Sequence, residues 1–296
     1  MSIDETSLSN GELYTFLSNK DAHCKKGSIA AYVKGTKSDD IVEVLMRIPE
    51  EIRSLVLEVT MDLSESMRAS IESCFPNARR VVDRFHVQQE VCTGLNEIRM
   101  KAKRKERKLE LRARKKHKTK LKQRLKRRKK DKTDPRGRKP KRLNEAFIPE
   151  KLSNGETPVE ALTRCRYSLN RPGNFWTDLQ TERNAILFER HPELKTAYSL
   201  THSIRMIFSN RNADIISGMQ SLNQWYAEVE EFDNEVFSVI AETVKSREGE
   251  ILNYFINRAT NAGAESLNSK IKQFRAKLRG VSDVKFFLFR LTKLFA

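Results

Sequence analysis

Ser54-Leu-Val-Leu-Glu-Val-Thr-Met-Asp62 is almost unbroken in apolar and β-branched residues and closes on a carboxylate. A run of that kind suits a central strand buried on both faces, so Leu55–Met61 is predicted to be one, with Asp62 at its end. Upstream, residues 39–47 have helical spacing, with Ile41, Val44, Leu45 and Ile48 on one face, Ser38 or Asp39 as the cap and Pro49 as the stop. Downstream, residues 64–74 return to helical spacing on Met67, Ile71 and Cys74, and Arg80-Val-Val-Asp83 reads as a short strand. Leu13-Tyr-Thr-Phe-Leu17 and Ser28-Ile-Ala-Ala-Tyr-Val33 are β-rich runs separated by turn residues. Only Met1 to Ile3 precede Asp4, so the first strand is expected to be short or continued by another polypeptide. The order β-β-β-α-β-α-β over the first 85 residues predicts a mixed sheet with helices on its faces.

Beyond Phe85 the pattern turns helical. Val87, Val91, Leu95 and Ile98 form one stripe, and that helix is expected to run on into a basic segment. Asp134-Pro-Arg-Gly-Arg-Lys-Pro140 should break it as a solvated hairpin or loop. Residues 158–231 read as all helical, with Trp176, Leu187, Phe188, Leu194, Tyr198, Ile204, Phe208, Leu222 and Trp225 as candidate core. One further helix is predicted over 235–257, a loop over Asn257–Gly263, a helix over 264–279 stopped by Gly280, and a last apolar helix over 283–295.

The net charge of +18 over 296 residues is unevenly placed. Residues 101–142 hold 25 Lys or Arg against four acids, a surplus of 21 that leaves the remainder at −3. A segment of that density neutralises phosphates and releases counterions, which points to nucleic acid, unless it is simply a solvated face. A membrane surface is the weaker reading, because little of the run carries an apolar face. Few aromatics accompany it, so it should contact phosphates and read little sequence. Cys24, Cys74, Cys92 and Cys165 make no CxxC pair, which argues for reduced thiols in an intracellular protein and against a disulfide framework or zinc site. No stretch is long and apolar enough to span a bilayer, and the N-terminus has no apolar signal region.

Three acids lie where a phosphodiester-cutting metal site would need them. Asp4 and Asp62 end strands, and Glu265 opens a helix. Such carboxylates can hold two divalent cations roughly 3.5–4 Å apart, which stabilise the attacking and leaving oxygens of an in-line displacement. Taken singly, each acid has an ordinary reading as a turn or cap residue. Glu265, Asn268 and Lys272 share a helix face, bordered by Lys270 and Arg275, and suit an approaching DNA backbone; the plainer reading is an exposed polar face opposite Leu267 and Ile271. Asp83-Arg-Phe-His86 is a second candidate pair. His86 is either a metal ligand, a proton carrier or a structural hydrogen-bond partner, and Asp83 rivals Asp62 as the second acid. Trp176 and Trp225 read as core rather than as stacking platforms for a flipped base.

Several stretches together resemble a known family. These are Ser2-Ile-Asp-Glu-Thr-Ser7, Asp62 with Cys74-Phe-Pro-Asn-Ala78 and Val82-Asp-Arg-Phe-His-Val87, and Arg258-Ala-Thr-Asn-Ala-Gly-Ala-Glu-Ser-Leu-Asn268-Ser-Lys-Ile-Lys272. They look like the D-D-E insertion-sequence transposases of the IS-L-three type, most of all a subgroup split over two reading frames. The resemblance implies an α/β ribonuclease-H-like fold, a mixed five-stranded sheet with a large all-helical insertion between the second Asp and the Glu. Residues 1–90 would be the first part of that core, 91–231 the insertion with basic segment 101–142, and 232–296 the C-terminal helices of the core. It implies Asp4, Asp62 and Glu265 as catalytic metal ligands, with Asp83 and His86 accessory. Two Mg²⁺ ions, replaceable by Mn²⁺, would cut the element's ends and join the 3′-hydroxyl to target DNA. DNA contact is expected from Asn268, Lys270, Lys272 and Arg275, and from Lys115, Lys116, Arg127 and Arg128 in the basic run. Full-length relatives carry a zinc-binding and helix-turn-helix region ahead of the first Asp, so a separately encoded DNA-binding partner is expected, along with a homodimer bridging two ends and a cytoplasmic, nucleoid-associated place in a bacterium. The alternatives are a non-catalytic nucleic-acid-binding relic and another nuclease of the same fold.

Overall fold

The computed structural model describes residues 1–8, 12–130 (side chains to 127), 145–278, 281 and 283–296. The expected loop at Asp134–Pro140 and the stop at Gly280 lie outside the described residues. Two compact units are present: one of Met1–Glu90, Ile204–Glu231 and Ser238–Ala296, the other of Val91–Ser203 and Phe232–Phe237. Residues 204–231 thus cluster with the sheet, where the sequence reading placed them in the insertion.

The first unit contains a five-stranded sheet in the order β3-β2-β1-β4-β5. The strands are β1 (Ser2–Ser7), β2 (Leu13–Ser18), β3 (Ile29–Lys34), β4 (Glu58–Met61) and β5 (Arg79–Val82). β1 pairs antiparallel with β2 and parallel with β4, and β4 pairs parallel with β5. β1 is longer than expected and runs past Asp4, because β2 pairs with all six of its residues. β4 is shorter than expected. Leu55 and Val56 close the helical turn behind them with bonds to Ile52 and Arg53, and Leu55 and Leu57 are 76% and 75% exposed. The apolar run therefore joins a helix end to a four-residue strand.

Helices α1 (Ser38–Leu45), α2 (Glu50–Arg53) and α3 (Glu65–Cys74) connect β3 to β4 to β5. Ser64 caps α3 by accepting from the Met67 amide. The helix after β5 is α4 (Arg84–Lys130), a single 47-residue element that continues into the basic run as the sequence predicts. It is followed by α5 (Pro158–Arg164), α6 (Arg166–Leu169), α7 (Asp178–Arg190), α8 (Pro192–Ser209) and α9 (Ile215–Phe232). The single helix expected over 235–257 is three: α10 (Glu235–Ser246), α11 (Glu248–Leu252) and α12 (Tyr254–Asn257). The breaks fall at Arg247, whose guanidinium reaches Glu65 and the Ser64 carbonyl, and at Asn253, whose amide donates to the Arg80 carbonyl. Last come α13 (Ala262–Lys277) and α14 (Val284–Phe295). Their apolar sides, with Leu267, Ile271, Phe287 and Leu291, form one core with Tyr14, Phe16 and Ile29 of the sheet. Burying Leu267 and Ile271 contributes about 2 kcal/mol apiece and fixes which side of α13 faces away from the core.

The second unit packs Leu95, Ile98, Leu162, Leu169, Leu187 and Leu194 into its interior. Trp176 meets Phe188 and Tyr198 at tilted angles and donates to the Ser168 carbonyl, and Trp225 of the first unit is buried, so packing accounts for both tryptophans. Glu156 is a buried hub: Arg183 grips it with two bonds of 2.7 and 2.8 Å, and Arg164 adds a third at 2.6 Å. The hydrogen bonds from Arg183, then those from Arg164, hold its carboxyl down at about 2, against an ordinary 4.5. A depressed carboxyl stabilises the fold above its unfolded value and loses that contribution as pH falls through the folded one. Glu156→Gln is therefore expected to lower stability at neutral pH by about 2 kcal/mol, less than the whole shift implies because Arg164 is largely solvated. The gap between variant and parent should close between pH 4.5 and pH 2 in thermal melts.

Candidate active site

Strand register brings the acids together. Ser2 faces Thr60 across the parallel β1–β4 pair, so Asp4 comes level with Asp62, and Met61 faces Val82, so Asp62 comes level with Asp83. Carried two residues past Ser2–Thr60 and one past Met61–Val82, that register sets Asp4, within β1, in line with Asp62 and Asp83, the residues that follow β4 and β5. Side chains alternate along a strand, which puts Ser2 and Asp4, Thr60 and Asp62, and Val81 and Asp83 on the same face. Tyr14 and Phe16 share that face through the β1–β2 pairing, and α13 packs on it.

Asn261 ties α13 to this row. It is fully buried; its amide nitrogen donates to the Ile3 carbonyl at 3.2 Å, its oxygen accepts from the Thr60 hydroxyl, and its backbone N–H donates to Asp83 Oδ2 at 2.9 Å. One residue thus bonds to β1, to β4 and to the residue ending β5. Four positions on, Glu265 stands exposed in the first turn of α13, and one turn further Asn268 donates to Asp4 Oδ2 at 2.8 Å. Asp4, Glu5, Glu265, Asn268 and Lys272 line an open cleft of about 560 Å³.

The expected site residues separate into groups. Asp4, Glu265, Asn268 and Lys272 share the cleft. Asp62 acts on Asp4 and Glu5 through its charge, and its Oδ1 accepts from the Ser64 amide at 2.7 Å. Asp83 is 2% exposed and both oxygens are taken, by Asn261 and by the Phe85 amide at the start of α4. His86 is half-buried, edge-on to Phe85, and close enough to Asp4 to favour its charged form. Lys270 points elsewhere, to the Cys24 carbonyl at 3.1 Å. Arg275 turns inward, 3.7 Å from Glu12 and stacked over Phe287. Lys115, Lys116 and Arg127 are exposed on α4 in the second unit; the Arg128 side chain lies outside the described residues.

Burial first, then repulsion from Asp62 and Glu265, raises the Asp4 carboxyl above its usual range, against the Glu5 amide and His86, which lower it. None of Asp4, Asp62 and Glu265 has an ion-pair partner among the described residues, whereas Glu58, Glu65 and Glu250 beside them are all paired to Lys or Arg. An all-oxygen donor set carrying uncompensated negative charge is the chemistry Mg²⁺ and Mn²⁺ take. Among the described residues no three acid, His or Cys side chains close a metal cage by themselves. Mg²⁺ seldom uses one: it is held by one or two carboxylates, waters and substrate phosphates.

Two supports are missing from the sequence reading. Asn261 reads there as part of a loop, and an Asn just before a helix would be read as a cap, yet its side chain is spent on the sheet. The second is an ion network behind Asp62, in which Arg247 and Arg68 bind both Glu65 and Glu250 and Arg80 adds to Glu250. Through Arg247 and Ser64 it braces the turn that follows Asp62.

A mixed five-stranded sheet of this order, with helices on it, is compatible with the ribonuclease-H-like fold of transposases. The chain belongs to the DDE transposases of the IS-L-three type: that family, described as Transposase, matches residues 1–291. No curated protein and no solved structure gives a match. The family's activity is transposition, by DNA cleavage and joining, and its members generally use divalent metals. No helix among the described residues is long and apolar enough to cross a membrane.

Proposed function

We propose that this chain is the catalytic subunit of an insertion-sequence transposase, with Asp4, Asp62 and Glu265 as the acids of a two-metal site. The observation that supports the reading is the register that brings Asp4 of β1 in line with Asp62 after β4, with Glu265 in the same cleft as Asp4 on a helix tied to the sheet through Asn261 and Asn268. Divalent cations bound there supply a Lewis acid and an activated water for in-line displacement at phosphorus. Asp4 and Asp62 would hold them from the sheet and Glu265 from the helix. Asn268 orients the Asp4 carboxylate, leaving Oδ1 bonded to the Glu5 amide. Lys272, exposed and without an acidic partner among the described residues, would take a DNA phosphate at the cleft. Asp83 anchors the start of α13 and is not a ligand in this reading. The insertion would lie within 91–231, its part up to Ser203 in the second unit, and a separately encoded DNA-binding partner and a homodimer bridging two ends would complete the assembly at the nucleoid.

The test is strand transfer from a plasmid bearing the element's two ends, with any partner chain supplied. Joined products are expected with Mg²⁺ or Mn²⁺ and none with EDTA. DNA that is cut but never joined would make the chain a nuclease of this fold; metal-independent binding with no cut would make it a relic.

A further inference from the structure

We propose that the exposed face of α4 between Arg104 and Arg127 is a sequence-neutral binding site for duplex DNA, gripping phosphates along about one helical turn; this rests on the transposase reading above. Three observations on the second unit carry it. First, the helix is unbroken over this span and its Lys and Arg side chains stand in solvent. At 1.5 Å per residue the span is about 35 Å, close to the 34–36 Å of one DNA turn.

Second, the inward stripe is already covered. Glu106 is buried under Arg190, His117 meets the Glu145 carbonyl and the Phe147 ring, and Arg124 pairs with Glu145 at 3.0 Å. What remains open, Leu109 and Leu111 apart, is mostly cationic. Third, ion pairs among the described residues leave it almost unneutralised. Arg124 is the only cation from Arg104 to Arg127 with an acid at ion-pair distance among the described residues. The buried acids Glu106 and Glu156 are engaged by Arg190, Arg183 and Arg164 instead.

Cations four residues apart, such as Lys108 with Arg112 and Lys118 with Lys122, repel across each turn and weaken a helix. A polyanion laid along the rod removes that repulsion, so binding should also firm the helix. The face carries no aromatic side chain, so it can hold phosphates but cannot stack on bases.

The test uses the full chain in EDTA, so that cutting does not intervene, and a duplex of about 20 base pairs of arbitrary sequence. The variant carries Lys108→Gln, Lys115→Gln, Lys118→Gln and Lys122→Gln. Glutamine keeps helix propensity and removes repulsion, so helical content by circular dichroism should not fall. The slope of log K against log salt should shrink by about 3–4, with affinity at 0.15 M salt lower by about 10³-fold and little change between duplex sequences. An unchanged slope overturns the assignment, and so does tighter binding of poly-glutamate than of duplex DNA. No strand transfer by the parent chain in Mg²⁺, with the variant's slope reduced as expected, would strike the catalytic reading and leave this one standing.

Discussion

Asp62→Asn gives a folded chain that retains DNA and cuts it on the order of 10³-fold more slowly, or not at all, and Asp4→Asn and Glu265→Gln do the same. The reasoning is electrostatic. The three carboxylates sit unpaired by any Lys or Arg among the described residues, and Asp4 is already strained toward its neutral form by burial and by its two acidic neighbours. Such an arrangement lowers stability in the absence of cations. Removing one charge weakens cation binding far more than it disturbs packing, since Asp62 and Glu265 are not fully buried. The measurement is single-turnover cleavage beside a binding isotherm and a melt. Wild-type cleavage in any one of the three variants removes that acid from the assignment.

Asp83→Ala is expected to fail differently, by loss of the fold around the site. Asp83 Oδ2 accepts the buried Asn261 amide and Oδ1 accepts the Phe85 amide at the start of α4. Truncation leaves a buried N–H unpaired, at about 1–3 kcal/mol, and removes a helix cap worth about 1 kcal/mol. A loss of roughly 3 kcal/mol is a large part of the stability of an ordinary domain. The melting temperature should fall by several degrees, with cleavage lost in proportion to the folded fraction. Asp83→Asn, which keeps one acceptor oxygen, should lie between. A variant that melts like the parent yet cuts nothing would restore Asp83 as a catalytic acid in place of Asp62.

The contrast between these two aspartates marks how far the sequence could be read. Both end strands, and in the linear chain nothing separates them; register and alternation bring both to one face. Their surroundings diverge because Asn261, far along the chain, donates its N–H to Asp83, whereas Asp62 accepts from the neighbouring Ser64 amide. The sheet itself was legible from local signals: β-rich runs for β2 and β3, the Val-Thr-Met run for β4, the stripe through Val87, Val91, Leu95 and Ile98 for α4. Boundaries set by distant partners were not. The breaks at Arg247 and Asn253 depend on Ser64, Glu65 and Arg80, and Leu55 and Leu57 read as strand although no neighbour covers them. Arg275 and Lys270 looked like DNA contacts by helical spacing, but Glu12, Phe287 and Cys24 claim them.

The bond from Asn268 to Asp4 closes a loop of 264 residues. At a ribosome adding about 5–20 residues per second, the interval between Asp62 and Glu265 takes about 10–40 s. Throughout that interval the nascent chain displays its two aspartates with neither the helix glutamate nor the asparagine strap. A chain released early by a frameshift, a stop codon or a protease carries an incomplete set of acids. In the proposed site, competence to break DNA would therefore arrive late in synthesis, and a fragment ending before α13 would leave the encoding DNA uncut.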